Sequence, residues 1–356
     1  MRVTSKAARC LRRVPSAIVA LGLVSAASAW AQGPAARAAS EPPERTEAQW
    51  LQAIQSAAER LSYTGTIVYH RAGAVQSSRV VHFFDGSVSH ERLQLLDGKR
   101  REYVRRGAEV QCLYPDSRRV RFERRPEQES FPAIGAGAPA EILQRYKLVV
   151  GGIERVAGLE CRVLVLEPRD SLRYGHWLCA DRATALLLKA QTLNERQEPL
   201  EHMAFVDLRI GDRLERSQLK PSWSTDGWTI ERSAEPQPVD LDRTGWRVTA
   251  PDGFRKLRSV ERKMGAEADR PALQVVYSDG LASLSVFIEP GAGSMLAHEL
   301  THSQGPVSGF TRRVGDALVT VIGEVPPGTV RSVALSVAPA DAGRAASAAG
   351  ESARPR

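Results

Sequence analysis

The sequence predicts an α+β protein of two unequal domains: a large N-terminal open antiparallel β-barrel with capping helices, then a smaller domain of a few strands and a helix. Three observations carry this. The segment "AQWLQAIQSAAERLS" has apolar residues at 50, 51, 54, 57, 58 and 61, the spacing of one helical face. From Tyr63 the pattern changes to short β-type runs punctuated by Gly or Asp-Gly, as antiparallel meanders require. At "KPSWSTDGWTIERSAEPQPVD", residues 220–240, periodicity fades, and strand-like runs resume beyond it.

Taken in order, residues 1–13 carry Arg2, Lys6, Arg9, Arg12 and Arg13 and no acid, a small apolar stretch follows, and Ala27-Ser28-Ala29 or Ala29-Trp30-Ala31 offers a cleavage site. Residues 1–31 thus read as a secretory signal peptide, and 32–47 as a flexible lead-in. No later segment approaches the roughly 20 apolar residues of a membrane helix. Cleavage lowers the formal net charge from +8 to +3, which removes the main support for nucleic-acid binding.

Residues 48–220 form the first domain. The strands "YTGTIVYH", "SSRVVHFFDG", "SHERLQLLDG", "KRREYVRRG", "AEVQCLYPD" and "RRVRFERR" are followed by "PAEILQRYKLVVGG", read as a short helix, and by further strands up to "LEHMAFVDLRIGD". A sheet this long curves around an apolar hollow. Core and ligand cavity are then one surface, so binding of an apolar ligand is the natural function. Residues 221–242 are the connection. Residues 243–338 supply the strands "LQVVYSD", "LASLSVFIEP", "GFTRRVGD" and "ALVTVIGEVP" and a helix from Pro327; 339–356, rich in Ala, Gly and Arg, read as a disordered tail.

Three cysteines remain after cleavage, Cys112, Cys161 and Cys179. Cys161 opens "CRVLVLEP" and Cys179 closes "YGHWLCA"; a hairpin turning near Asp170 and Ser171 brings them to within about one residue of opposition, so a bridge is geometrically allowed. The spacing alone leaves the pairing among the three open.

Between 99 and 125 stand Lys99, Arg100, Arg101, Arg105, Arg106, Arg118, Arg119, Arg121, Arg124 and Arg125, against Glu102, Glu109, Asp116 and Glu123. They are either solvated outer faces of a sheet or an anion-binding surface; in the second reading Lys99, Arg100, Arg101, Arg118, Arg119 and Arg121 are the lipid- or anion-binding candidates. In "LASLSVFIEP" Leu284, Val286 and Ile288 share one face and Phe287 lies on the more polar one. Leu284 and Phe287 are candidate partner contacts on a strand whose edge could accept a partner segment, while Phe287 packed under the C-terminal helix is the plainer alternative.

"HELTH" places His298, Glu299 and His302 at the spacing of a zinc peptidase. Only a short helix fits before Gly305-Pro306, and Ser308 stands where the extended motif has its third histidine. A loop or helix end that happens to spell the motif is the stronger reading, and neither metal nor cofactor is expected.

"LSYTGTIVYHRAG", "RVVHFFDG", "ERLQLLDGKRREYVRRGAEVQCLYPD", "CRVLVLEPRDSLRYGHWLCADRATALLLKAQTLN", "YSDGLASLSVFIE" and "RRVGDALVTVIGEVPPGTV" together resemble the MucB/RseB family, over roughly residues 48–338. The resemblance implies an N-terminal domain similar to the lipoprotein carriers LolA and LolB, a smaller mixed α/β C-terminal domain, and a location in the periplasm. It implies a non-enzymatic regulator that binds the periplasmic region of a transmembrane anti-sigma factor, shields it from site-1 proteolysis, and leaves it on sensing lipid or lipopolysaccharide. A homo-oligomer is compatible with this role. A secreted zinc peptidase and a lipid carrier without a regulatory partner are the alternatives.

Overall fold

The computed structural model describes residues 44–124, 135, 137–211, 214–232, 235–262, 271–295 and 298–340. The signal peptide expected at 1–31, most of the lead-in, Arg125 and residues 341–356 lie outside them.

Helix α1 (Glu47–Arg60) starts at a capping box in which Thr46 and Gln49 each bond the other's backbone N–H, and it buries Trp50, Leu51, Ile54, Ala57 and Ala58. Strands β1 (Tyr63–Arg71), β2 (Ala74–Phe84), β3 (Ser89–Leu95), β4 (Glu102–Arg106), β5 (Glu109–Tyr114) and β6 (Arg119–Arg124) follow as an antiparallel meander. The first turn is Ala72-Gly73, both at positive φ (48° and 79°), the two-residue geometry that matches strand twist.

Helix α2 (Pro139–Arg145) then leads directly into β7 (Tyr146–Val156). The helix expected to continue through "YKLVVGG" stops at Arg145, because Tyr146 and Leu148 bury one face of an extended run while Lys147 points out. Strands β8 (Leu159–Pro168), β9 (Gly175–Asp181), β10 (Leu187–Leu193) and β11 (Pro199–Ile210) complete a second meander, and β11 pairs with β1, fusing the two into one sheet. Both helices cover its concave face. Trp50, Leu51 and Ile54 pack with Ile142, Tyr146, Leu148 and Leu166, and Ala57 packs with Tyr63, Ile67, Val80 and Phe205.

The Cys161–Cys179 disulfide joins β8 to β9. Cys161 pairs in register with Asp181 and Cys179 with Val163, so the bridge is diagonal, two residues from opposition, with Cα atoms 5.3 Å apart. Cys112 is buried and outside the bridge.

The expected connection, 221–242, is built into both sheets. The Ser222 N–H and hydroxyl both donate to the buried Glu102 on the convex face. Strand β12 (Thr229–Arg232) then pairs in parallel with β6 as a twelfth strand, giving the order β12-β6-β5-β4-β3-β2-β1-β11-β10-β9-β8-β7. A few residues on, β13 (Gln237–Pro238) begins the second sheet.

That sheet contains β15 (Arg255–Arg262), β16 (Ala272–Ser278), β17 (Ser283–Glu289), β18 (Leu300–Gln304), β19 (Val307–Val314) and β20 (Ala317–Gly323), in the order β13-β15-β16-β17-β20-β19-β18, all antiparallel. Helix α3 (Pro327–Ser336) buries Val330, Val333 and Ala334 against Leu284, Val286, Phe310, Val319 and Val321. A small ribbon, β14 (Trp246–Arg247) with β21 (Ala338–Pro339), closes the domain. Pro339, expected at the start of the tail, pairs with Trp246, and the Ala340 N–H donates to Gly245 O at 2.8 Å, so order extends past 338.

Candidate functional site: the concave face and the domain junction

The strand registers decide which basic residues face inward. One row runs Gly65, Val80, Leu93, Tyr103, Cys112, Arg121, Glu231 across seven strands. Val80 belongs to the core beneath α1. Arg121 and, two residues away on the same face, Arg119 therefore line the concave side with Tyr103 and Tyr114.

Both arginines are engaged there by Glu231 of β12, at 2.9 Å from Arg119 Nη1 and 3.1 Å from Arg121 Nε. The Glu231 carboxyl is held below the usual carboxylate range, chiefly by the Arg121 hydrogen bond. Arg101 and Arg119 lie over the Tyr114 ring, at 5.3 and 5.5 Å. Arg100 pairs with Asp116 at 2.7 Å. Lys99 and Arg118 are exposed, Arg118 in a left-handed turn with φ 46°. Of the six candidates, three thus answer carboxylates of this chain: Arg100 through Asp116, and Arg119 and Arg121 because β12, read from sequence as a loose connection, supplies Glu231.

Deeper in the same face lies a buried polar row. Glu91 accepts from Arg105 at 3.3 Å, both shielded from solvent. His82 stacks on Tyr63 with ring centroids 4.9 Å apart, and its Nδ1 lies 2.7 Å from Leu61 O. Burial lowers the His82 pKa to about 4, so the ring is neutral at pH 7.

The larger polar network joins the two domains. Arg173, in the turn between β8 and β9, is fully buried and donates to Asp279 at 2.7 Å, to Asp170 at 3.0 Å and to Asp252 O at 2.7 Å. Its guanidinium lies 5.1 Å from the Phe254 ring centroid and 5.9 Å from that of Tyr146. Asp279 also accepts from Tyr146 Oη and from the Leu281 and Ala282 N–H groups. Around this centre Arg145 pairs with Asp252, Arg255 grips Glu141 with both terminal nitrogens, and Thr329 Oγ1 donates to Leu172 O. The backbones touch where the Gly137 N–H donates to Gly280 O; a Cβ at Gly137 would come within 2.4 Å of Gly280 Cα. None of Arg173, Asp279 or Tyr146 was a sequence candidate. The available signal was weak: two charged residues in polar turns, 106 residues apart.

The partner candidates on β17 separate. Leu284 is 1 % exposed and packs in the core under α3 with Val286 and Ile288, which corrects its reading as a contact. Strand β17 sits in the middle of its sheet, between β16 and β20, so its edge is already taken. Phe287 lies on the face opposite α3, opposite Gln274 and Thr320, and is half-buried. It does not pack under the helix. The free edge belongs to β18, every residue of which is exposed.

The "HELTH" phrase falls at the start of that edge strand, and is neither loop nor helix from Leu300 on. Because Leu300, Thr301 and His302 are extended, the two histidines do not share the single helical turn that would hold them about 6 Å apart. His298 and His302 are both exposed, and no group of three or more potential metal ligands occurs among the described residues.

Comparison with known proteins agrees with this architecture. Residues 46–223 match the MucB/RseB N-terminal domain and 240–338 the MucB/RseB C-terminal domain. The sigma factor AlgU regulatory protein MucB of Pseudomonas aeruginosa is 35% identical over 298 residues, covering 82% of this chain and 90% of the relative. The sigma-E factor regulatory protein RseB of Escherichia coli is 24% identical, covering 81% and 89%. Among solved structures, the Pseudomonas aeruginosa MucA/MucB complex matches with a TM-score of 0.67 and 32% identity, covering 82% of this chain and 98% of that one. A second structure, MucB in complex with MucA(peri), gives 0.66, covering 83% and 99%. With both domain families matched in order and a relative this similar along most of its length, the chain belongs to the MucB/RseB family.

Proposed function

We propose that this protein is a regulatory binding protein of an envelope-stress sigma-factor system: it binds the periplasmic region of a transmembrane anti-sigma factor, shields that region from site-1 proteolysis, and leaves it when lipid or lipopolysaccharide is sensed. The observation that carries the reading is the match, over nearly the whole of that chain, to MucB in complex with the MucA periplasmic region. The bridged Cys161–Cys179 pair suits an oxidising compartment such as the periplasm. In the division of labour we favour, the larger concave sheet takes the lipid, and the smaller sheet, through Phe287 and the free edge of β18, takes the partner. A ligand that prefers the released arrangement shifts the population towards it.

The test uses the mature protein and the periplasmic region of its cognate anti-sigma factor, with affinity and protease protection measured in parallel. Binding, protection, and loss of both on adding lipopolysaccharide support the proposal; absence of saturable binding overturns it. Phe287→Asp should weaken partner binding at least tenfold with little change in Tm, and an unchanged affinity removes Phe287 from the interface. Lys99→Glu with Arg118→Glu, both exposed, should blunt lipid-triggered release. Reversal of Arg119 and Arg121 is unsuitable for that purpose, because it would also detach β12 through Glu231.

A further inference from the structure

A cavity of about 440 Å³ on the convex side of the large sheet is lined by Phe83, Asp85, His90, Arg106, Leu219 and Lys220. It lies apart from the concave face and the domain junction, and its construction is regular. Phe83, His90 and Arg106 are direct cross-strand neighbours on β2, β3 and β4, so three side chains stand in one row across three strands. The Phe83 and His90 rings are 6.2 Å apart.

The opposite wall is the 3-10 turn Arg216–Leu219 and the Lys220 that ends it. Arg92 Nη1 donates to Lys220 O at 3.2 Å and Ser222 bonds Glu102, so the wall is fastened to the sheet at Lys220 itself and again two residues beyond it.

The charges are unbalanced. Asp85 Oδ1 accepts from the Ser87 N–H, the Ser87 hydroxyl and the Val88 N–H, and Oδ2 meets His90 Nε2 at 2.9 Å. The one carboxylate of the cavity is therefore spent on its own turn and on orienting the imidazole. Arg100, Arg119, Arg121 and Arg124 each meet an acid elsewhere, but Arg106 and Lys220 meet none among the described residues. An arginine fork and an ammonium held beside an imidazole that Asp85 orients suit a tetrahedral dianion. Phe83 and Leu219 beside them offer apolar surface that a bare ion would leave unused.

We propose that this cavity binds a phosphomonoester carried on a small apolar group, the phosphate between Arg106 and Lys220 and the apolar part against Phe83 and Leu219. Its volume holds the head and the first carbons of a chain, and its open side lets a longer chain run out into solvent or into a lipid surface. The site is independent of anti-sigma factor binding.

Calorimetric titration of the mature protein tests this with three probes: dihexanoyl phosphatidic acid kept below its micelle concentration, inorganic phosphate, and dihexanoyl phosphatidylcholine. One equivalent of phosphatidic acid should bind at least tenfold more tightly than either of the others. Arg106→Glu with Lys220→Glu should weaken it at least thirtyfold at unchanged Tm and unchanged affinity for the anti-sigma factor region, and Phe83→Ala should erase the advantage over inorganic phosphate. Arg196→Glu, an exposed cation in the β10–β11 turn, should have no effect. Equal binding of inorganic phosphate and phosphatidic acid would mean a site for the free ion and overturn the proposal. So would native-like binding by the double variant, or an equal loss in Arg196→Glu, which would reveal unspecific attraction.

Discussion

Replacing Arg173 by Met removes the buried cation that pairs with Asp279 at the domain junction while keeping most of the side-chain volume. Breaking a buried pair from one side costs about 3–5 kcal/mol, because the other charge stays desolvated. Asp279 would still accept from Tyr146 Oη and from the Leu281 and Ala282 N–H groups, which places Arg173→Met near the lower end, about 3 kcal/mol. Arg173→Met with Asp279→Leu deletes both charges, so its cost should fall short of the sum of the singles by at least about 1.5 kcal/mol, the sign of direct coupling. Because the pair ties the β8–β9 turn to the β16–β17 turn, its loss should also uncouple the domains. Urea unfolding followed by tryptophan fluorescence should show one transition for the native chain and two for Arg173→Met. A single transition shifted by less than about 1 kcal/mol, or additive singles, would refute the reasoning: the pair would then be an incidental contact in a junction held by something else.

Two further outcomes follow from the buried histidine and from the edge strand. His82 has its folded pKa lowered to about 4 from 6.5, so the folded state binds fewer protons: the stability it confers is complete above pH 6.5 and is lost as pH falls towards 4, about 3 kcal/mol in all. In His82→Phe the dependence of unfolding free energy on pH across that window should flatten by up to about 1.4 kcal/mol per pH unit, and native-like curvature in the variant would contradict a neutral buried ring. Purified protein should hold no stoichiometric zinc, and His298→Ala and Glu299→Ala should keep full partner affinity; one tightly held equivalent lost in His298→Ala would revive the peptidase reading.

Most strands were legible because their determinants are local: alternating burial, and Gly or Asp-Gly at the turns, as in "YTGTIVYH" and "SSRVVHFFDG". Helix α2 was overextended because "YKLVV" is apolar enough to satisfy either period; what decides it is the partner strand β8, which only the fold supplies. The basic run was visible as composition, but its meaning was not. Whether Arg121 is free depends on Glu231, 110 residues away in a segment with no regular pattern. Leu284 and Phe287 were assigned to opposite faces correctly, yet which face is buried follows from the position of α3. Arg173 and Asp279 escaped notice for the same reason: turns tolerate charge, and nothing in a turn's sequence announces that another turn closes over it.

The parallel pairing of β12 with β6 changes where this molecule can be divided. A fragment ending at residue 220 would keep every strand of the first meander but strip the outermost one, leaving the N–H and C=O groups of β6 open along a row that other chains can template upon. It would also lose the Ser222 donors to Glu102, which is 0 % exposed, and leave that carboxylate to Arg92. Such a fragment is prone to sticky self-pairing even though its core is intact, whereas one ending after Arg232 carries its own selvedge. The stretch between the domains is therefore the hem of the first sheet, and a pull on the second domain would be felt there before it reached the interior.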